Sequence, residues 1–142
     1  MRVAMARVLL GRPDVIEQTC SRFGFALHDY DVIDITTSPE RARYADLLYS
    51  VRSRRGMTPG RAMQRILDPT IFGLMMVRLG EADGFVGGLG RQYPETIRPA
   101  IRLVGLRDGV SRVSALHLLV LKDRLFFFAD TMVNIEPTSE EL

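Results

Sequence analysis

The sequence predicts a layered α/β domain: a mainly parallel sheet flanked by helices, with an antiparallel strand pair near the C-terminus. Three observations carry that prediction. Short β-prone apolar segments alternate with capped helical segments along the first half of the chain. The stretch Ile71–Leu79 is apolar on nearly every side, so as a helix it belongs between layers. Two further apolar runs, Val113–Leu121 and Leu125–Ala129, are joined at Lys122-Asp123-Arg124, a length suited to a hairpin.

Val3–Leu10 reads as the first strand, and Gly11-Arg12-Pro13-Asp14 as a turn that opens a helix with Pro near its first position. Val15, Ile16 and Thr19 give that helix an inner side, and Gly24 ends it. Tyr30–Ile35 is the second strand. Ser38 before Pro39 signals the N-cap of a helix carrying Tyr44, Leu47, Leu48 and Val51, which stops at Gly56. Thr58-Pro59 caps a short helix through Ala62, Ile66 and Leu67, closed by Asp68-Pro69. After Gly80 come a short strand candidate, Asp83-Gly84-Phe85-Val86, and the glycine-rich Gly87-Gly88-Leu89-Gly90. From Pro94 the positions Ile97, Ala100, Ile101 and Val104 fall at helical spacing, and Pro99 predicts a kink or a late start. Thr138-Ser139-Glu140-Glu141 has capping-box spacing, yet Leu142 follows at once. So short a helix is marginal without packing, and the chain therefore reads as cut from a larger α/β unit.

At 142 residues, with 46% hydrophobic and 25% charged, the chain has the makings of one globular domain. Its longest apolar runs, Leu116–Leu121 and Leu125–Ala129, fall short of the roughly 20 residues of a membrane helix, so no membrane partner is expected. Met1–Leu10 carries Arg2 and Arg7 and lacks a secretory pattern, and the single Cys20 has no disulfide partner. Both point to the cytoplasm. A net charge of +2 is too small to argue for nucleic acid, and the basic cluster Arg52, Arg54, Arg55 lacks interleaved aromatics.

Candidate chemistry centres on anion binding. The glycines after Val86 would let a ligand approach the backbone, and the following helix presents free N–H groups to an anion. Arg98 sits early in that helix and should lean back toward the glycine loop. Arg52 follows Leu48 by one helical turn and borders the buried face, whereas Arg54 and Arg55 should point elsewhere. His28 and His117 have no metal-ligand spacing, and no metal site is expected. Neither a Ser-His-Asp set nor a paired-carboxylate arrangement is recognisable, so no catalytic residue is singled out.

Phe72-Gly73-Leu74-Met75-Met76-Val77-Arg78-Leu79-Gly80-Glu81-Ala82-Asp83-Gly84, then Gly87-Gly88 and Tyr93-Pro94-Glu95-Thr96-Ile97-Arg98-Pro99-Ala100, and later Phe128-Ala129-Asp130-Thr131 with Val133-Asn134 and Pro137-Thr138, occur in that order. In these motifs, and over nearly the whole chain from Leu10 onward, the sequence resembles the phosphotransacetylases, the phosphate acetyl/butyryltransferase family. That family interconverts acetyl-CoA plus phosphate with acetyl phosphate plus CoA, without a metal, in a cleft between two α/β subdomains. The resemblance implies an incomplete copy of the phosphotransacetylase fold, which is isocitrate/isopropylmalate dehydrogenase-like. It also implies that Arg52 and Arg98 bind phosphate or acyl phosphate across one common cleft, and that Gly87, Gly88 and Tyr93 belong to the phosphate or acetyl-CoA site.

Gly87 stands where active members usually carry Ser, and Gln92-Tyr93 where they carry a Ser/Thr pair. The Tyr93-Pro94-Glu95-Thr96 form is similar to the domain at the C-terminal end of NADP-dependent malic enzymes. The family's Ser-Arg and Asp catalytic elements lie beyond the position of Leu142. Residues 1–142 are therefore expected to be the first large segment of such a domain, partial and inactive alone. The expected role is regulatory, in a homo-oligomeric malic enzyme, with acetyl-CoA or phosphate as ligand. No cofactor is expected in this segment; NADP and a divalent metal would belong to a malic-enzyme portion outside it. The alternative implied by the same resemblance is the first segment of an active phosphate acetyltransferase.

Overall fold

A computed structural model of the protein describes residues 6–134 and residue 138. The chain forms two compact units, the first ending at Val104 and the second beginning at Gly105. In the first unit, β1 (Val8–Leu10) and β2 (Asp31–Ile33) pair in parallel with Leu9 opposite Val32. Parallel strands need a crossover, supplied here by α1 (Pro13–Phe23), which closes on Gly24 at φ 71°. Each strand is three residues long, shorter than Val3–Leu10 and Tyr30–Ile35 as predicted, with residues 1–5 outside the described set. Propensity marks what can extend; a hydrogen-bonding neighbour decides how much of it is strand. The expected inner side of α1 also changes: Val15 and Thr19 are exposed, the Thr19 hydroxyl donates back to the Val15 carbonyl at 2.7 Å, and only Ile16 of the three is half-buried.

Ser38 does not cap the next helix directly. Residues 39–40 form a turn in which the Glu40 N–H donates to Ser38 Oγ at 3.3 Å, and α2 (Arg41–Arg52) starts after it. A 3-10 turn (Ser53–Arg55) follows, and Gly56 at φ 82° reverses the chain. The cap at Thr58 is as predicted: its hydroxyl accepts from the Arg61 N–H at 3.3 Å and starts α3 (Pro59–Arg65). Asp68 opens α4 (Pro69–Arg78) as its N-cap, accepting from the Thr70 N–H at 2.8 Å.

As its all-round apolar sequence requires, α4 is the centre of the first unit, buried continuously from Thr70 to Met76. Tyr44 and Leu48 of α2, Ala62 and Ile66 at α3, and Leu103 at the end of α5 (Tyr93–Leu103) complete the core. The Tyr44 ring meets Phe72 edge-on at 4.8 Å, while its hydroxyl donates to Glu81, which Arg43 also binds. Burial and this acceptor together hold the Tyr44 phenol above its ordinary range. Residues 83–86 are not a strand. Among the described residues no strand pairs with them, and the segment is anchored instead by the Phe85 ring, which lies over Gly73.

Helix α5 begins at Tyr93, where the Gln92 N–H donates to Glu95 Oε2 at 3.3 Å, and it runs through Pro99 without a break. In the second unit, β3 (Leu116–Leu121) and β4 (Arg124–Ala129) pair antiparallel with Leu121 opposite Arg124. The two-residue turn fits Lys122, at φ 45°, into the positive-φ position that a primed hairpin turn needs. Every residue of both strands is exposed. After β4 the Asp130 carboxylate accepts from the backbone N–H groups of Met132 and Val133, each at 3.1 Å, and from Asn134. The α/β class, with a parallel pair and a C-terminal antiparallel pair, is the one the sequence predicts. The helix signalled at Thr138-Ser139-Glu140-Glu141 lies outside the described residues.

Two outcomes follow from these contacts. A Cβ at Gly73 would sit 2.5 Å from the Phe85 ring and 3.1 Å from Leu10, so Gly73→Ala should destabilise the first unit. Overpacking costs about 1–3 kcal/mol, more than the roughly 1 kcal/mol gained in helix propensity; denaturant melts should show the loss and Phe85→Ala should relieve it. The second outcome concerns Asp130. Partial desolvation raises its pKa, but the Met132, Val133 and Asn134 donors outweigh it and hold the group at about 2. A depressed carboxylate stabilises fully above its unfolded value near 3.9, and that contribution is lost as pH falls through about 2. An NMR titration of the Asp130 carboxyl should show this, and Asp130→Asn should flatten the acid limb.

Candidate functional site

Among the described residues of the first unit, two of the cavities differ in character. The first, about 400 Å³, is lined by Arg52, Arg55, Gly56, Met57, Arg61, Gln64 and Arg65. Arg52 ends α2, Arg55 ends the 3-10 turn, and Arg61 and Arg65 stand one helical turn apart on α3. Arg55 was expected to point away from Arg52. The 3-10 turn overturns this, because residues three apart eclipse at three residues per turn, which aligns positions 52 and 55. Arg54 is exposed and outside the lining. Among the described residues none of the four lining arginines makes an ion pair or a side-chain hydrogen bond, in contrast to Arg12, Arg43 and Arg91, which are paired with carboxylates. Guanidinium groups gathered without counter-charges repel, and an anion between them removes that cost.

The second cavity, about 500 Å³, lies between α4 and the start of α5. Leu74, Val77, Phe85, Ile97 and Ala100 form most of its wall, with Gly87, Gly88, Arg91, Tyr93 and Thr96 around them. Gly88 at φ 109° accepts the Arg91 N–H on its carbonyl at 3.0 Å, a turn that suits glycine and carries Arg91 to the rim. The Arg91 guanidinium then pairs with Asp68 at 2.9 Å. Although burial pushes Asp68 upward, Arg91 and the Thr70 N–H bring its pKa below the ordinary value, so the pair is fully ionised at neutral pH. Thr96 Oγ1 is buried with no partner among the described residues.

The structure thus brings Gly87, Gly88 and Tyr93 together, and places Arg52 in the other cavity. Arg98 lines neither and is exposed. The cavity face of α5 is carried by positions 93, 96, 97 and 100; at about 100° per residue, Arg98 is turned to the side. The expected convergence of Arg52 and Arg98 in one cleft is therefore absent among the described residues. Sequence reasoning missed Arg61, Arg65 and Arg91. The spacing Arg61/Arg65 after the Gly56 reversal was a legible signal for the first two, whereas nothing local announced that Arg91 would reach the rim. His117 is engaged by Thr131 at 2.6 Å, and no cluster of three His, Cys, Asp or Glu among the described residues is placed to hold a metal ion.

An α/β unit built on a buried helix, with a parallel strand pair ahead of it and a glycine turn leading into the next helix, is an architecture shared with the phosphotransacetylases. Structures of that type superpose on it: a phosphotransacetylase from Staphylococcus aureus at TM-score 0.79 and 24% identity, over 96% of this chain and 41% of that one. A phosphotransacetylase from Streptococcus pyogenes gives TM-score 0.77 and 29% identity, over 93% and 40%. The profile of the family described as phosphate acetyl/butaryl transferase matches residues 2–142, and the chain belongs to that family. Curated relatives include a phosphate acetyltransferase of Synechocystis sp., 38% identical over 136 residues. An NADP-dependent malic enzyme of Escherichia coli is 34% identical over 139 residues. The alignments cover 94% and 95% of this chain, which spans 20% and 18% of those relatives' lengths.

Position 87 has a structural reason to be glycine in this chain. A Cβ on Gly87 would lie 2.6 Å from the Phe85 ring, and that ring is already held against Gly73. Gly87→Ser should therefore displace Phe85 and lower stability by about 1–3 kcal/mol, readable as a lower melting temperature and as shifted Phe85 ring resonances.

Proposed function

We propose that this chain is a phosphotransacetylase-like regulatory module of a malic enzyme, and that it binds acetyl-CoA through the ligand's phosphate groups at the Arg52 cavity. The observation that carries the reading is the set of four arginines without carboxylate partners among the described residues. Planar guanidinium groups match phosphate oxygens in pairs, and several of them suit the clustered phosphates of a CoA ester better than a single small anion. Malic enzymes among the relatives support a sensing role beside a separate dehydrogenase portion, where NADP and a divalent metal would reside. Homo-oligomeric assembly in the cytoplasm goes with that reading; no helix among the described residues is long and apolar enough to cross a membrane.

A second reading, the first segment of an active phosphate acetyltransferase, is favoured by the phosphate acetyltransferase relatives, including the one at 38% identity. Chemistry separates the two. On the regulatory reading this chain forms no acetyl-CoA from acetyl phosphate and CoA, whereas on the catalytic reading it belongs to a protein that does.

Isothermal titration tests the proposal directly. Acetyl-CoA should bind, dephospho-CoA more weakly, and Arg52→Gln, Arg61→Gln and Arg65→Gln should each cost roughly tenfold in affinity while leaving the melt unchanged. Each neutralised arginine should also reduce the salt dependence of binding. Acetyl-CoA binding that ignores all three substitutions would remove the Arg52 cavity from the function, and turnover by the unaltered chain would replace the regulatory reading with the catalytic one.

A further inference from the structure

We propose that the apolar cavity between α4 and α5 is a second ligand site, for an amphiphilic monocarboxylate, with Arg91 as its anchoring cation. The site is separate from the Arg52 cavity and does not depend on CoA binding there. At about 500 Å³ it falls in the size range of small-molecule sites, and its wall of Leu74, Val77, Phe85, Ile97 and Ala100 suits a hydrocarbon body. Such sites fix their ligand with a few polar groups, and this one has two of the right kind.

The first is the Arg91 guanidinium. Its Nη1 donates to Asp68 Oδ2 at 2.9 Å, and Asp68 Oδ1 is itself held by the Thr70 N–H at 2.8 Å, so the fork is set in place from behind. Arg91 Nε and Nη2 make no hydrogen bond among the described residues, which leaves a pair of donors at the rim for a carboxylate. The second is the Thr96 hydroxyl, buried and without a partner among the described residues, 3.5 Å from where a Cβ on Gly88 would stand. A buried hydroxyl left unpaired is costly and rare, and a ligand oxygen in the cavity would satisfy it.

The charge count selects the class of ligand. Asp68 already neutralises Arg91, so the rim offers hydrogen-bond geometry with little net positive charge. A single carboxylate can use those donors, whereas a phosphate dianion would meet the Asp68 charge with no second cation among the lining residues. An uncharged alcohol would gain the apolar wall but forgo the fork. The two cavities thereby divide ligands between them: phosphates to the four arginines, carboxylates with an apolar body to Arg91.

The test is a set of titrations of the full chain with hexanoate, hexanol and hexyl phosphate, followed by calorimetry and by amide resonances. Hexanoate should saturate and shift residues 87–100, with hexanol and hexyl phosphate each about tenfold weaker. Arg91→Gln should reduce hexanoate to the affinity of hexanol, Arg91→Lys should fall between, and Thr96→Val should weaken hexanoate by about fivefold. Equal affinity for hexanoate and hexanol, tighter binding of hexyl phosphate, shifts confined to residues 52–65, or no saturation at millimolar ligand would each overturn the proposal. So would full hexanoate affinity in Arg91→Gln. Should that variant fail to fold, the preference of the unaltered chain for hexanoate over hexanol decides alone.

Discussion

The first unit depends on a close approach at Gly73. Helix α4 is buried from Thr70 to Met76, and at Gly73 its backbone is met from outside by the Phe85 ring and by Leu10 of β1. Any side chain there would intrude on both. The absence of one lets the strand layer and the loop after α4 close on the same stretch of helix, at the density expected of a protein interior. The loop's course then follows: Phe85 is pinned, Gly87 must stay bare beside it, and the chain turns at Gly88 into α5. The apolar cavity is the space this arrangement leaves between α4 and the first turns of α5.

Charge is sorted as sharply as apolar area. The whole chain carries only +2, yet the charge is not spread evenly. Arg12 with Asp14, Arg43 with Glu40 and Glu81, and Arg91 with Asp68 are neutralised pairs that hold turns and loops in place. Exposed pairs of this kind contribute little to stability, and their role is better understood as orientation. The four arginines near Gly56 form the opposite case, cations brought together with no carboxylate partner among the described residues. Exposure of Arg55, Arg61 and Arg65 to water weakens the repulsion in such a grouping, and a bound anion would remove the remainder.

The second unit follows other rules. Its hairpin is well specified by hydrogen bonding and by the turn at Lys122, but Leu116, Leu118, Val120, Leu125, Phe127 and Phe128 are all at least half exposed. Apolar surface of that extent is uncommon on a folded unit by itself. The Asp130 carboxylate supplies the local order that burial does not, collecting backbone donors from the residues after β4 and the Asn134 side chain.

Much of this was legible in the sequence wherever the cause was local. The cap at Thr58, the stops at Gly24 and Gly56, the buried helix at Ile71–Leu79 and the hairpin all follow from side chains acting on backbone within a few residues, while Asp68, expected to close α3, also opens α4 as its N-cap. Arg52, Gly87 and Gly88, singled out from helical spacing and turn chemistry, each line a cavity of the first unit. The tertiary structure decided the rest. Residues 83–86 have strand-like composition but no neighbour to pair with, and only the packing at Gly73 shows what they do instead. The 3-10 turn, a small change of pitch, moved Arg55 into line with Arg52, and the facing of α5 turned Arg98 away while the loop brought Arg91 in. Which side chains share a cavity depends on how elements approach one another in space, and that approach is set by contacts such as Phe85 on Gly73, between residues whose spacing in the sequence carries no period.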